Sequence, residues 1–530
     1  MKLTNRILET LIILKLEYFI FLIFGLLMIS SCRQGELEIE DKKQPNIVFI
    51  LTDDLGWNEL GFNNPSIPHT SNIDKLHSEG LSLSQFYVHA VCGPSRAAFL
   101  TGRYPHRNWM DWRTEDFGKP NYLKMLDMEM AKNDEGEETR RIHALPAEER
   151  TIAESLKDLG YFTAIMGKWG CGEWLEEHLP LAQGFMHQFG HYAWGIDYNN
   201  YTIPHNAPAK FAVYDWHRNQ KPIPPNGYAT DLIADEVVDL LGSHKNDYGD
   251  QPFFYYIPFN GIHGPLEETP RYGDTLSKRY AALKCLDDAV GRITNALDQN
   301  GFTENTLLVF TNDNGAIRDT MNAPFRGTKN TNYEGGVRAP CIIKWPGKIE
   351  AKSESDAMVH ITDFYSTLTN IAGGSTSSQT NLDGLDMSDV ILSGADSPRK
   401  EIVFEVGGSV RLASMRKGDF KLVGEELYHI PDDQAEQNDL ANIHPAVVID
   451  LKRILKEEAQ SRPPLPAFDE LMSPALPWVY GQAENINPPE WLKEHVSAIR
   501  ASQPQSWPEG KTPWPQPPKD GKIIYLGDGR

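Results

Sequence analysis

Cys92, Pro94, Arg96 and Arg103 stand close together in HAVCGPSRAAFLTGRYPHR, residues 89–107. Pro94 suits the first turn of a helix and Gly102 suits a helix C-terminus, so the pattern predicts a short helix that begins at or just after Cys92. A helix N-terminus offers free N–H groups and a positive dipole end, which favour a bound anion and a lowered thiol pKa. The sequence therefore predicts that Cys92 lies at an anion site, with Arg96 on the same helix.

Two other interpretations of Cys92 remain open on the residues alone. The thiol could be a buried side chain beside a helix cap. It could also be a thiolate nucleophile of the phosphotyrosine-phosphatase kind, although the spacing between cysteine and arginine in that family is longer than that between Cys92 and Arg96.

Polar or charged residues follow several predicted strands at the point where each strand ends. They are Asp53–Asp54, Lys168, His263 and Asp313–Asn314. Each alone is a weak signal, because Asp and Asn also favour turns and helix caps. In open α/β sheets, however, ligands bind outside the carboxyl ends of the strands. The shared edge therefore predicts one site.

This predicted site combines metal-ligating oxygens with positive charge. Its oxygen donors are Asp53, Asp54, Asp313 and Asn314. Carboxylate and amide oxygens suit a hard cation such as Ca²⁺ or Mg²⁺, and not zinc. Arg96, Lys168 and Lys329 supply positive charge opposite the metal. Together these residues predict a clamp for a tetrahedral oxyanion.

The elements that must position these residues alternate along the chain. Short apolar runs are typical of buried parallel strands, and helical periodicity separates them. The predicted strands are 46–52, 161–166, 253–257 and 306–311, and the predicted helices are 72–79, 151–159, 230–241 and 278–300. The alternation predicts an α/β fold with a large, mostly parallel sheet sandwiched by helices.

The pattern changes after Gly394. Short predicted strands between 401 and 430, followed by a helix at 445–459, indicate a smaller antiparallel sheet with one helix. We therefore expect a main domain at 45–395, a small C-terminal α+β subdomain at 396–460 and a Pro- and Trp-rich extension at 461–530.

The N-terminus differs from the rest of the chain. A basic start precedes an apolar run at 18–29, about the length of a signal-peptide core and short for a membrane span. The run ends at Cys32 in a pattern that resembles the lipobox of bacterial lipoproteins. We predict a signal peptide at 1–31, a lipid on Cys32 that attaches the chain to a membrane, and a tether at 32–44. An uncleaved anchor is the alternative; either implies export, to the bacterial periplasm or the outer membrane.

Composition argues against two classes of protein. Acidic residues number 73 against 51 basic ones, and the net charge of -22 argues against a nucleic-acid partner. The 5 cysteines are an odd number without close pairing, which is not a disulfide framework.

The segment Cys92-Gly-Pro-Ser-Arg96, followed by Leu100-Thr-Gly-Arg103, resembles the signature of the type I sulfatases of the alkaline-phosphatase-like superfamily. The likeness continues in order through PNIVFILTDDLGW at 45–57, GKW at 167–169, FRGTKNTNYEGGVRAP at 325–340 and ELYHIPDDQAEQNDLA at 426–441. The resemblance implies that fold and a sulfate ester hydrolase. For an exported chain, it implies a sulfated carbohydrate as substrate.

The resemblance also assigns roles. The residues that match calcium ligands are Asp53, Asp54, Asp313 and Asn314, and Cys92 completes the shell after a formylglycine-generating enzyme has oxidised it to formylglycine (3-oxoalanine). Arg96 and Lys168 match residues that hold the formylglycine. Lys329 matches a residue that binds sulfate, and His263 one that protonates the leaving alcohol. In the implied reaction the ester oxygen departs with a proton from His263 or Lys329. The implied nucleophile is one hydroxyl of the hydrated aldehyde.

One position departs from the family pattern. Many members place a histidine two residues after the lysine, where this chain has Gly170. His191, His205 or a water is left to remove the second diol proton, or else activity is reduced. The aromatic-rich stretch at 184–222 indicates either a sugar-binding wall or ordinary packing. The residues assigned to substrate binding are His191, Trp194, His205 and Arg326.

Two other functions remain open. The same fold and a formylglycine site also occur in phosphonate and phosphate ester hydrolases. A non-catalytic glycan-binding lipoprotein is favoured by Gly170 and disfavoured by the intact cysteine, lysine, histidine and metal-ligand set.

Overall fold

The computed structural model describes residues 43–111, 131–132, 138–139, 144–172, 176–203, 213–377, 379, 381–407, 411–463 and 489–502. The predicted signal peptide, Cys32 and His205 lie outside these residues. A search of the described helices finds none that is both long and apolar enough to cross a membrane.

The strands and helices are numbered here in chain order. The strands are β1 (Asn46–Thr52), β2 (Leu81–Leu83), β3 (Phe86–Tyr87), β4 (Ala131–Lys132), β5 (Glu138–Thr139), β6 (Phe162–Lys168), β7 (His187–His191), β8 (Thr202–Ile203), β9 (Val213–Tyr214), β10 (His217–Arg218), β11 (Lys221–Pro222), β12 (Phe253–Pro258), β13 (Thr306–Asn312), β14 (Cys341–Lys344), β15 (Ser353–Ser355), β16 (Val359–His360), β17 (Glu401–Glu405), β18 (Ser414–Lys417), β19 (Phe420–Val423) and β20 (Glu426–His429). The α-helices are α1 (Ser71–Ser78), α2 (Cys92–Thr101), α3 (Ile152–Asp158), α4 (Ala229–Tyr248), α5 (Lys278–Gln299), α6 (Asp319–Asn322), α7 (Glu334–Val337), α8 (Asp363–Ile371), α9 (Ser388–Ser393), α10 (Pro445–Ala459) and α11 (Glu490–Ser502).

Ten strands of the described chain form the main sheet, in the order β11-β10-β7-β6-β12-β1-β13-β14-β2-β15. The central run from β7 to β13 is parallel throughout. Antiparallel pairs flank it, at β13–β14 and β14–β2 on one side and at β7–β10 and β10–β11 on the other. The predicted α/β fold with a large, mostly parallel sheet is therefore confirmed.

The centre of the sheet is the core of the molecule. Every residue of β1, β12 and β13 is buried, as expected of parallel strands covered on both faces. Helices α4 and α5 pack on each other, and α2 packs on α3 and α8. Because β1, β6, β12 and β13 run the same way, their carboxyl ends meet at one edge.

A second sheet lies in the C-terminal part. Strands β17 to β20 pair antiparallel in chain order, and α10 packs on β18. This is the predicted smaller antiparallel sheet with one helix, although the domain boundaries themselves stay a prediction. Tyr104 joins Met415 and Leu427 in its apolar core, so the sheet shares packing with the segment after α2.

The aromatic-rich stretch at 184–222 is mostly core. Tyr192, Tyr198, Tyr201 and Trp216 are each at most 1% exposed. Strand β7 carries this stretch into the main sheet beside β6, so most of its aromatic side chains face the interior and do not form a sugar-binding wall.

Candidate active site

Helix α2 begins at Cys92, as predicted from its sequence. The helix ends at Thr101, and Gly102 follows in the left-handed conformation with φ 67°. Val91 at the N-cap makes no side-chain capping bond. The Cys92 side chain is buried, with 4% exposed, so the thiol lies inside the molecule at a helix N-terminus.

Buried cations hold two of the predicted metal ligands. Arg96 donates from Nε and Nη2 to Oδ2 of Asp313, at 3.1 and 2.7 Å. Its Nη1 donates to the Lys168 carbonyl at 2.9 Å. Lys168 Nζ donates to Oδ2 of Asp53 at 2.5 Å. All four side chains are fully buried. Their ion pairs and hydrogen bonds connect α2 to the ends of β1, β6 and β13.

Asp54 contacts the residues on the other side of the site. Its Oδ1 accepts hydrogen bonds from Lys329 Nζ at 2.6 Å and from Asn314 Nδ2 at 2.8 Å. Its Oδ2 lies 3.9 Å from His263 Nε2. The structure therefore brings together the residues that the sequence predicted from four different strand ends.

The two central carboxyls differ in their readiness to ionise. Burial opposes ionisation of Asp53, but the positive charges around it, that of Lys168 foremost, hold its pKa below the usual value. Burial, followed by the charge of Asp53, raises the pKa of Asp313 above the usual value. A further cation at this position would allow both groups to be carboxylates.

Oxygen atoms of the predicted ligands fit such a cation. Oδ1 of Asp53, Oδ1 of Asp313 and Oδ1 of Asn314 are buried and accept no hydrogen bond from the described residues. Ligand atoms of Asp53, Asp313 and Cys92 lie within 4.8 Å of one another. Buried acceptors without donors are costly unless something satisfies them. The donor set is dominated by oxygen, which matches Ca²⁺ or Mg²⁺.

His263 lies at the mouth of the site, with 15% of its side chain exposed. Burial, followed by the charge of Lys329, lowers its pKa to about 4. The Trp194 ring meets the His263 ring edge-on, with centroids 6.2 Å apart. Trp194 is thus one of the predicted specificity residues that the structure brings next to the site.

The Gly170 position borders the site directly. A Cβ on this residue would lie 3.2 Å from Cδ of Arg96 and 3.4 Å from Cε of Lys168. His191 pairs in register with Lys168 across β6 and β7. It is fully buried, and burial lowers its pKa to about 3. The choice among His191, His205 and a water as the diol base stays a prediction.

Two arginines of the sequence motifs have other partners. Arg326 donates to the Tyr428 hydroxyl at 2.9 Å and to the Glu436 carbonyl at 2.8 Å, so it contacts the C-terminal sheet. Arg103 forms an ion pair with Glu149. His205 is not among the described residues.

Sequence reasoning missed one supporting residue of the metal-ligand loops. Asn312 Nδ2 donates to the Leu55 carbonyl at 2.7 Å, and its Oδ1 accepts from the Thr52 hydroxyl at 2.8 Å. It thereby ties the end of β13 to the end of β1. A polar side chain closing an otherwise apolar strand was the available signal.

Comparisons with known proteins identify the family of the chain. The family model described as Sulfatase matches residues 45–374. N-acetylgalactosamine-6-sulfatase of Mus musculus is 35% identical over 391 residues, which are 70% of this chain and 70% of that protein. Arylsulfatase J of Mus musculus is 31% identical over 376 residues, which are 68% of this chain but 58% of that protein.

A solved structure shows the same fold. The crystal structure of Ps i-CgsB in complex with k-i-k-neocarrahexaose has a TM-score of 0.66 and 26% identity, covering 81% of this chain and 95% of that chain. The chain belongs to the sulfatase family, whose members are sulfuric ester hydrolases of the type I, alkaline-phosphatase-like fold.

Proposed function

We propose that the protein hydrolyses sulfate esters of carbohydrates, with Cys92 converted to formylglycine and a calcium ion bound by Asp53, Asp54, Asp313 and Asn314. The observation that carries this proposal is the set of buried oxygens of Asp53, Asp313 and Asn314 near the Cys92 position, which accept no hydrogen bond from the described residues. Mg²⁺ would use the same ligands.

The chemistry of the ligand set supports oxidation of Cys92. Hard cations prefer oxygen, and a thiol among carboxylate and amide oxygens is a poor match for Ca²⁺. An aldehyde hydrate at residue 92 would place oxygen at that position and supply the nucleophilic hydroxyl. A bound cation would lower the pKa of that hydroxyl and stabilise charge on the sulfate oxygens. A formylglycine-generating enzyme is therefore a proposed partner during maturation.

The remaining residues bind and orient the substrate. Arg96 and Lys168 hold the carboxylates of Asp313 and Asp53 in place, and thereby fix the position of residue 92. Lys329, whose Nζ already neutralises Asp54, would bind a sulfate oxygen. A bound sulfate group would raise the pKa of His263 by its negative charge, and His263 at the mouth of the site would then donate a proton to the departing ester oxygen.

The substrate class is supported by the relatives and by one contact. N-acetylgalactosamine-6-sulfatase and the structure with neocarrahexaose point to sulfated sugars. Trp194 beside His263 offers an aromatic face at the mouth of the site. Export, a lipid on Cys32 and a periplasmic or outer-membrane location complete the proposal, on the grounds of the N-terminal sequence.

Inorganic sulfate release from a panel of sulfated mono- and oligosaccharides tests the proposal. The protein should be co-expressed with a formylglycine-generating enzyme, and Cys92→Ala is the matched control. Sulfate from one class of sugar, abolished in the control, is the expected result. Release of phosphate from phosphate esters, or of the alcohol from phosphonate esters, without sulfate from any sugar would contradict it.

A further inference from the structure

Asp54 has an unusual backbone conformation for a side chain with a metal-binding role. Its φ is 61°, in the left-handed region that non-glycine residues rarely occupy. Such a conformation persists only where the surroundings hold it. Its carboxylate accepts hydrogen bonds from Lys329 and Asn314. The backbone conformation of Asp54 sets the direction in which this carboxylate lies.

Arg279, near the start of α5, contacts that backbone. Its Nη2 donates to the Asp54 carbonyl at 2.7 Å. The same guanidinium donates from Nε and Nη2 to the two carboxylate oxygens of Glu59, at 2.6 and 2.7 Å. The side chains of Arg279 and Glu59 are 11% and 3% exposed. A planar guanidinium held by a carboxylate in this way has little freedom to move.

Glu59 is fixed in turn. Its Oε2 accepts a hydrogen bond from the Gly56 backbone N–H at 2.8 Å. This bond closes the turn that follows Asp54. The chain from Asp54 to Glu59 and the guanidinium of Arg279 therefore form a closed set of hydrogen bonds. Arg279 enters this set from a helix more than two hundred residues further along the sequence.

We propose that Arg279, held by Glu59, is a positioning residue that sets the left-handed backbone of Asp54 and so the geometry of the cation site. The inference rests on the proposed function, because it presumes that Asp54 binds a cation. Arg279 is not required to begin α5, because Ser277 at the N-cap accepts from the Tyr280 N–H and apolar residues along the helix are buried.

Calcium affinity of the metal-free full-length protein is the deciding measurement, because it does not depend on turnover. Isothermal titration with CaCl₂ should compare wild type with Arg279→Met and with Arg292→Met. Arg292 is the matched control, since it lies on the same helix and pairs with Asp235 at the surface, with 40% of its side chain exposed.

We expect Arg279→Met to weaken calcium binding by about 10- to 100-fold, the usual effect of removing a residue that orients a metal ligand. Arg292→Met should bind calcium as wild type does. An Arg279→Met protein with wild-type affinity would overturn the inference, even if its melting temperature fell. Absence of calcium binding in wild type would instead contradict the proposed function.

A second substitution covers the case in which Arg279→Met does not fold. Arg279→Lys keeps the charge and can reach a carbonyl, but cannot form the paired contact with Glu59. We expect its calcium affinity to fall by about tenfold, with a lower kcat at saturating calcium and a similar KM. Wild-type affinity in this variant would overturn the inference.

Discussion

Each central carboxylate of the site divides its two oxygens between two tasks. Oδ2 of Asp53 and Oδ2 of Asp313 accept from the buried cations Lys168 and Arg96, whereas their Oδ1 atoms accept nothing from the described residues. Through this division the protein's own cations lower the cost of burying the acids, and one oxygen of each acid would be available to the proposed metal ion. Replacing Lys168 or Arg96 would therefore change the charge state of Asp53 or Asp313 without removing either carboxyl group.

The proton-donor role of His263 can be tested with leaving groups of different acidity. We expect His263→Gln to lower kcat/KM on a sugar sulfate by about 10²- to 10⁴-fold, the usual contribution of a general acid. The loss on an aryl sulfate should be smaller, because a phenolate needs less help to leave. The ratio of the two values is the measurement.

His187→Gln is the matched control for that experiment. His187 lies at the opposite end of β7 from the site and contacts Glu236 at 2.9 Å. Equal losses on both substrates in the His263 variant would show that His263 positions the substrate and does not donate the proton.

At the scale of elements, the sequence predicted best where one signal was sufficient. Strand β1 occupies the predicted residues 46–52, because a short apolar run rich in β-branched residues favours a strand that is buried on both faces. Helix α10 begins at Pro445, as predicted, and proline is favoured in the first turn of a helix. The prediction ended α4 at residue 241 because the residues that follow lack apolar periodicity. The helix itself continues to Tyr248.

Strand pairing and burial could not be predicted from the local sequence. Nothing in CIIK at 341–344 tells that β14 runs antiparallel to β13, since both directions suit the same residues. The composition around Tyr192 and Trp216 equally suits a sugar-binding surface or a core, and only the place of β7 in the sheet decides for the core. The meeting of the candidate site residues at one sheet edge was predictable from the strand ends, but the contact of Arg279 with the Asp54 backbone was not.

A buried ionic cluster joins the C-terminal sheet to the segment that carries Lys329. Lys421 on β19 is fully buried, with its Nζ 2.8 Å from Glu334 and 3.0 Å from Glu436. We expect Lys421→Met to lower the free energy of unfolding by about 3–5 kcal/mol, because it leaves the buried Glu436 without its cation and removes one of the cations paired with Glu334, which keeps Arg338. Urea unfolding measures this.

Lys452→Met is the matched control for Lys421→Met. Lys452 pairs with Glu425 at the surface, where 40% and 85% of the side chains are exposed, so its loss should cost less than about 1 kcal/mol. An effect of Lys421→Met no larger than that of the control would show that the buried cluster does not stabilise the join.

For the whole molecule, buried neutral histidines predict sensitivity to acid. Burial lowers the pKa of His89 to about 3, and burial likewise lowers the pKa of His360, whose ring centroid is 4.9 Å away. Below pH 6.5 these histidines bind protons in the unfolded chain but stay neutral in the folded chain. The free energy of unfolding therefore falls as the pH falls. For His89 alone the loss between pH 7 and pH 5 is about 2 kcal/mol.

His89→Gln should flatten this dependence. Its free energy of unfolding should fall between pH 7 and pH 5 by about 2 kcal/mol less than that of wild type, as measured by urea unfolding at both pH values. His444→Gln controls for the loss of one imidazole. A wild-type slope in the His89 variant would contradict the assignment of the acid sensitivity to this residue.

The state of residue 92 tests the central claim most directly. Trypsin cleavage after Lys75 and Arg96 releases residues 76–96, in which Cys92 is the one cysteine. Mass spectrometry of this peptide from protein of the native host, with measured sulfatase activity, should show the mass of an aldehyde and capture by a hydrazide. An unmodified thiol throughout a fully active preparation would contradict the account.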